Sequence, residues 1–393
     1  MMKTILVAGG GTGGHVFPGL AVAHALSDLA DVEIVFAGTA RGIETRVVPQ
    51  HGYTLELLEV EPLKGGGPAR AIRGALVAAK AMRHATGLVG RLRPSAVLSV
   101  GGYSAGPAAL ACVRAKVPLA VLEPNSTLGL ANRLLAPFAG RAYLAWSETA
   151  RHFRGDRARL YGVPLRPGFE PRPHAAAGDR PKRVLVLGGS QGATALNERV
   201  PNAIARAGKK VGAIEVVHQT GKDRENAVRE AYANAGVAGA TVVSFLEDVA
   251  EQMAAADVIV ARSGAVTVAE IAAVGRASIL VPFPHAADDH QAKNAMSLAE
   301  LGGAICVRQE AADDVRIATE LALLLGDEQK RITMAATARE HGHPHAALEV
   351  ARDLLAFAGI KQRAGKPPPP KKMNGGSGAS SSAIKIPSSK GVS

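Results

Sequence analysis

The sequence predicts an α/β fold: two doubly wound domains with a cleft between them. Three observations predict it. Short apolar runs alternate with helical patterns along the chain, the arrangement that gives parallel sheets with right-handed crossovers. Two of these runs lead straight into glycine-rich turns, Gly9-Gly10-Gly11-Thr12-Gly13-Gly14 and Gly188-Gly189-Ser190-Gln191-Gly192-Ala193. Between the halves lies a break at 163–182, rich in Pro, Arg and Gly, where each X–Pro step disfavours helix. Each half therefore opens as strand, glycine turn and helix, in the Rossmann manner.

In the first half, strands are expected at residues 4–8, 32–37, 96–100, 119–122 and 142–145. In the second they are expected at 183–187, 214–218, 241–244, 258–261 and 278–281. These runs are rich in Val, Ile and Leu without polar alternation, as strands covered on both faces should be. The boundaries read as an N-terminal domain at 1–163, a linker at 164–181 and a C-terminal domain at 182–358. The tail 361–393, with its four prolines and Gly/Ser tract, has no core-forming pattern and is expected to be disordered.

At 393 residues the chain is long enough for two to three domains of about 150 residues. Aromatics are only 4%, which argues against a stacking platform for single-stranded nucleic acid. The two cysteines, Cys112 and Cys306, are too far apart for a CxxC pair and read as reduced thiols. No run of 18 apolar residues occurs, so no helix is expected to span a bilayer. The apolar Ile5-Leu6-Val7-Ala8 meets glycines at once and forms no signal-peptide core, so a cytoplasmic protein is expected.

Charge is uneven. Residues 1–180 hold 21 Lys and Arg against 12 Asp and Glu; residues 181–360 hold 18 against 22. The stretch 62–122 carries Lys64, Arg70, Arg73, Lys80, Arg83, Arg91, Arg93, Arg114 and Lys116 and no carboxylate. Apolar residues recur at helical spacing among them. Such a segment suits an anionic membrane surface, with a solvated helix face as the alternative. No nucleic-acid-binding signature accompanies the charge.

Gly9-x-Gly11-x-x-Gly14 formally matches a dinucleotide fingerprint, and glycines there let backbone N–H groups approach a phosphate at a helix N-terminus. A nicotinamide enzyme also needs an acidic residue at the end of the second strand. That strand ends in Gly38-Thr39-Ala40, which argues against NAD. His15 follows the loop at a helix N-terminus, where local positive potential favours a neutral imidazole. It reads as a general base or as a locally bonded side chain. Arg262-Ser263-Gly264-Ala265-Val266-Thr267-Val268-Ala269-Glu270 follows a strand and begins a helix. Its first amides suit a diphosphate and Glu270 suits ribose hydroxyls, or the segment is simply a capped helix. In Pro282-Phe283-Pro284-His285-Ala286-Ala287-Asp288-Asp289-His290-Gln291 the spacing fits a loop entering a helix with Asp as N-cap. Polar side chains gripping sugar hydroxyls fit that loop better than a metal site.

These clusters, in this order, resemble the two-domain GT-B glycosyltransferases of family 28 that act in bacterial peptidoglycan synthesis. The resemblance rests on the segments beginning Gly11-Thr12-Gly13-Gly14-His15, Gly101-Gly102-Tyr103-Ser104, Glu123-Pro124-Asn125, Gly188-Gly189-Ser190-Gln191, Arg262-Ser263-Gly264 and Asp288-Asp289-His290-Gln291, and covers about residues 3–358. The chain departs at Pro124, where the family commonly has Gln, and at Val163, where it commonly has Asn.

The resemblance implies an inverting transfer of N-acetylglucosamine from UDP-GlcNAc to the 4-hydroxyl of lipid I, giving lipid II. It implies donor contacts at Thr12, Gly13, Gly14, Asn125, Arg166, Ser190, Gln191, Leu246, Ala265, Val266, Thr267, Val268, Ala269, Glu270 and Gln291. Acceptor contacts would fall at Gly11, Gly102, Tyr103 and Ser104, and His15 would be the base. It implies no cofactor; a divalent cation is not required by the sequence. The expected partners are UDP-GlcNAc, lipid I, the anionic cytoplasmic face of the membrane as a peripheral site, and a cell-wall synthesis complex, with no nucleic acid.

Overall fold

The structure, a computed structural model, describes residues 2–60, 68–102, 104–173, 180–189 and 192–363, without the side chains of 68–76 and 78. The first half forms strands β1 (Lys3–Gly9), β2 (Val32–Gly38), β3 (Thr54–Leu57), β4 (Ala96–Gly101), β5 (Leu119–Glu123), β6 (Arg141–Leu144) and β7 (Ala158–Leu160). They make one parallel sheet in the order β3-β2-β1-β4-β5-β6-β7. The second half forms β8 (Lys182–Leu187), β9 (Ile214–Gln219), β10 (Thr241–Val243), β11 (Val258–Ala261), β12 (Ala277–Leu280) and β13 (Ile305–Cys306), in the order β10-β9-β8-β11-β12-β13. The helices are α1 (Gly13–Leu29), α2 (Glu44–Gln50), α3 (Pro68–Leu92), α4 (Ala105–Arg114) and α5 (Leu130–Leu135) in the first half. After them come α6 (Thr194–Val211), α7 (Glu225–Asn234), α8 (Val249–Ala255), α9 (Ala265–Val274), α10 (His290–Ala299), α11 (Asp314–Gly326), α12 (Glu328–Glu340) and α13 (Ala346–Phe357).

The central strands β1, β4, β5, β8, β11 and β12 are buried along nearly their whole length because helices cover both faces of each sheet. Each sheet thus has a core on either side, and strand order reverses beside β1 and β8, where ligands enter doubly wound folds. Strands β3, β7 and β13 were not expected. They are edge strands of two to four residues, too short for an apolar run to mark.

Two boundaries differ from the expected ones. Helix α13 was expected in the C-terminal domain, yet Val350, Ala351, Leu354 and Leu355 are buried in the N-terminal core against α1. Each such aliphatic removed from water contributes roughly 1.5–3 kcal/mol, apart from the smaller Ala351. Asp353 adds bonds from Arg141 Nε at 3.1 Å and the Tyr143 hydroxyl at 2.8 Å. The linker, too, is not a free tether. Val163, Leu165 and Phe169 belong to the C-terminal core, and the buried Arg276 guanidinium donates to the Arg172 carbonyl at 3.0 Å. The chain changes allegiance at Gly162, which has φ +84° and whose missing Cβ leaves room for His343 in the connection between α12 and α13.

The stretch 68–92 is one helix, as its spacing predicts, but its charges are not all free. Lys80 pairs with Glu59 at 2.5 Å and Arg91 with Glu56 at 2.6 Å, both carboxylates lying just before the acid-free stretch. Among the described residues no helix is long and apolar enough to cross a membrane. Both cysteines are free, and Cys112 is buried in the N-terminal core. The tail expected to be disordered lies, from residue 364, outside the described residues. Its last described residue, Arg363, is tied to the Leu29 carbonyl and to Asp31.

Candidate active site at the domain interface

Across the domain boundary the loop after β5 meets helix α10, and α1 packs on α9. Thr12 is the N-cap of α1; its carbonyl accepts the His15 and Val16 amides, and its Oγ1 lies 3.2 Å from His15 Nδ1. Gly13 and Gly14 form the first turn, whose amides have no partner within the helix. The β4 turn packs directly on this loop. Gly102 has φ +84°, and a Cβ there would stand 2.3 Å from the Gly10 carbonyl oxygen. Only glycine allows that approach. His15 lies over Gly101, and burial holds its imidazole below its ordinary pKa. The Glu123 carboxylate, hydrogen bonding to the Gly10 backbone and Glu44 oppose this shift; His290, from the other domain, adds to it. The neutral imidazole expected from the helix end therefore owes its depression chiefly to desolvation.

Glu123 ends β5 with its carboxylate buried. It accepts the Asn125 amide and side-chain N–H groups at 3.1 Å each, the Gly129 amide at 2.9 Å and Asn132 Nδ2 at 3.1 Å. That fan of donors shapes the loop that reaches the C-terminal domain. There Asn294, fully buried on α10, accepts the Ser126 amide at 3.0 Å and lies within 3.4 Å of Asn125 Oδ1. Lys293 donates to Thr127 at 3.2 Å.

On the C-terminal side, Gly264 caps α9 and leaves the amides of Ala265, Val266 and Thr267 at its first turn. The Val268 amide, expected to be offered with them, donates to the Gly264 carbonyl at 3.0 Å, and its side chain lies in the core. Ala269 packs against the same core. Ser263 does not cap; its hydroxyl donates to the Gln291 carbonyl at 2.8 Å. Glu270 is 7% exposed, and burial pushes its carboxyl up to about 7 against the pull of Arg166, 3.7 Å away. Arg166 lies over the rings of Phe17 and Phe169, so the linker cation touches both domains. Leu246 is buried beside the exposed Phe245. Gln291 Oε1 accepts the Phe283 amide at 3.1 Å.

Several expectations fall elsewhere. The Gly11 amide, expected to meet the acceptor, donates to Glu44 Oε2 at 2.8 Å. Asp289 stands at the N-cap of α10 but accepts no helix amide; its carboxylate pairs with Arg308 at 2.9 Å. Ser190, Gln191 and Tyr103 lie outside the described residues. Ser104 is the N-cap residue of α4, and its buried hydroxyl has no partner among the described residues. Among the described residues no group of three or more His, Cys, Asp or Glu is arranged to hold a metal ion. Sequence reasoning gave no role to Glu44, Glu123, Asn132 or Asn294. Glu123 and Asn294 stand in the motifs; Glu44 had no local signal except the glycines at 38 and 42.

Comparison with known proteins bears on this arrangement. A model of the glycosyltransferase family 28 N-terminal domain matches residues 5–144, and one of the C-terminal domain matches residues 183–350. A relative from Sorangium cellulosum is named UDP-N-acetylglucosamine--N-acetylmuramyl-(pentapeptide) pyrophosphoryl-undecaprenol N-acetylglucosamine transferase. It is 52% identical over 361 residues, 91% of this chain and 89% of the relative. A relative of the same name from Anaeromyxobacter is 40% identical and covers 92% of this chain and 94% of its own. The crystal structure of Acinetobacter baumannii MurG superposes with a TM-score of 0.75 at 31% identity, covering 90% of this chain and 99% of that one.

Proposed function

The chain belongs to glycosyltransferase family 28, and we propose that it transfers N-acetylglucosamine from UDP-GlcNAc to lipid I, forming lipid II with inversion at the anomeric carbon. The observation that carries this reading is the domain boundary at which α1, the helix of His15, packs on α9, and Arg166 joins Phe17 of α1 to Glu270 of α9, in a chain 52% identical to a transferase named for that reaction.

The donor lies mainly on the C-terminal domain. Its diphosphate sits against the Ala265, Val266 and Thr267 amides at the positive end of α9, with Gly13 and Gly14 facing it from α1. Glu270 takes the ribose hydroxyls, Leu246 offers its backbone to uracil, and Gln291 and Asn125 hold the sugar. Arg166, already beside Glu270, adds positive charge toward the leaving group. The acceptor enters from the N-terminal side. Its pyrophosphate fits the α4 N-terminus, where the buried Ser104 hydroxyl has no partner among the described residues.

The acceptor 4-hydroxyl gives its proton to His15 as its oxygen attacks the anomeric carbon from the face opposite UDP. The carbon–oxygen bond to the β-phosphate breaks, and UDP leaves with the electron pair. A general base contributes roughly 10²- to 10⁴-fold. The amides of α9, fixed before the charge develops, stabilise the leaving diphosphate.

The enzyme works as a peripheral protein on an anionic membrane. Supporting this, Leu130, Leu134 and Phe138 follow at four-residue spacing and are 57, 64 and 53% exposed. Arg133, also exposed, stands among them, directly after the Glu123 loop. Such a stripe would seat the site beside the lipid carrying the acceptor.

Incubating the purified chain with UDP-GlcNAc labelled in the sugar and lipid I vesicles tests the reaction. The expected product is a lipid-linked disaccharide with a β linkage. An α linkage, or label released as free sugar, would overturn the reading.

A further inference from the structure

The first glycine loop is held from beneath by a buried charge. Glu44, the first residue of α2, is 1% exposed. Its Oε2 accepts the Gly11 amide at 2.8 Å, and its Oε1 accepts the Thr39 amide at 2.9 Å and the Thr39 hydroxyl at 3.0 Å. A carboxylate removed from water persists only where donors meet its lone pairs, and such charge-assisted bonds are the strong ones. Here the donors come from two loops, after β1 and after β2, so the carboxylate ties one to the other. Three glycines make its cage. A Cβ on Gly10, Gly38 or Gly42 would lie 2.6, 2.6 or 1.9 Å from the nearest Glu44 atom.

The tie lies one residue before the catalytic turn. Gly11 precedes Thr12, the N-cap of α1, and His15 sits in the first turn of that helix. We propose that Glu44 is a positioning residue for the transfer: its carboxylate clamps Gly11 and so fixes where Thr12 and His15 meet the acceptor hydroxyl. This rests on the reading of His15 as the base. A displacement of about 1 Å at a reacting group can cost a hundredfold in rate, so a clamp this close acts on kcat.

The test uses the full chain and two readouts, one independent of turnover. Glu44→Gln keeps the size but turns one acceptor into an N–H₂ group facing N–H donors. Hydrogen exchange of residues 9–16 is expected to quicken at least tenfold in the free protein. With UDP-GlcNAc and lipid I vesicles, kcat is expected to fall at least tenfold while KM for UDP-GlcNAc stays within twofold. The acid limb of the rate profile should also move to lower pH, because a negative charge that favours the protonated imidazole is gone. Gly42→Ala pushes the carboxylate aside without removing its charge, and should reproduce the exchange and kcat effects with a smaller movement of the limb. Thr39→Val, which removes one donor only, gives a milder version in a chain expected to fold normally, with kcat down about threefold. Unchanged exchange in folded Glu44→Gln, a kcat loss that merely follows the folded fraction, or a Thr39→Val enzyme indistinguishable from wild type would overturn the proposal. If His15→Ala turns over normally, the base assignment fails, while the exchange result still judges the clamp.

Discussion

Asn294 of α10 and Ser126, three residues past the end of β5, are bonded across the domain boundary, with the Ser126 amide donating to Asn294 Oδ1 at 3.0 Å. Asn294 Nδ2 lies 3.4 Å from both Asn125 Oδ1 and the Ser263 carbonyl oxygen. One buried side chain thus joins the Glu123 loop to the residue before the α9 cap. Asn294→Ala leaves the half-buried Ser126 amide without its partner and strips a fully buried side chain of its bonds, which costs about 1–3 kcal/mol. Denaturant unfolding should show that loss. Stability equal to wild type would mean the contact contributes nothing in solution.

Glu270 supplies a pH test. Burial raises its carboxyl to about 7 in the folded chain, from 4.5. A raised folded value means stability that is present below 4.5 and lost as pH rises through about 7, on the order of 3 kcal/mol for this group. Ribose hydroxyls donate best to the ionised form, so UDP affinity should strengthen over the same rise. Titration calorimetry from pH 6 to 8 should show this in wild type and not in Glu270→Gln, whose affinity should be at least tenfold weaker. Equal affinity in the two proteins would remove the ribose role.

His15→Ala should lower kcat at least hundredfold with KM for UDP-GlcNAc nearly unchanged. Because burial depresses the imidazole, the acid limb of kcat/KM for lipid I should lie below pH 6.5. A limb above that value would assign it to another group.

Much of this site was legible in the sequence because glycine loops and helix starts are local. The unalternating Val, Ile and Leu runs marked the central strands, and Gly264 with Glu270 marked α9. What was not legible depends on tertiary placement. Nothing near Glu44 says that Gly11 will donate to it from 33 residues away. Val268 looked like a phosphate-binding residue until the start of α9 at Ala265 made its amide the first to close a helical turn. Helix α13 has an apolar face that either domain could bury, and only the fold chooses the first.

The exposed stripe makes a membrane prediction. Leu134→Asp should weaken binding to vesicles containing anionic lipid, since a charge replaces a side chain inserted at the acyl boundary. Arg133→Glu and Arg83→Glu should weaken it further, by about 1 kcal/mol for each cation lost, and the effect should fade in high salt. Vesicle sedimentation checks this; binding indifferent to all three substitutions would place the membrane contact elsewhere.

The most direct test of the central claim is the rate of UDP release from UDP-GlcNAc with and without lipid I. The account predicts release that depends on lipid I and matches lipid II formed mole for mole. Release at the same rate without lipid I, or none with it, would contradict it.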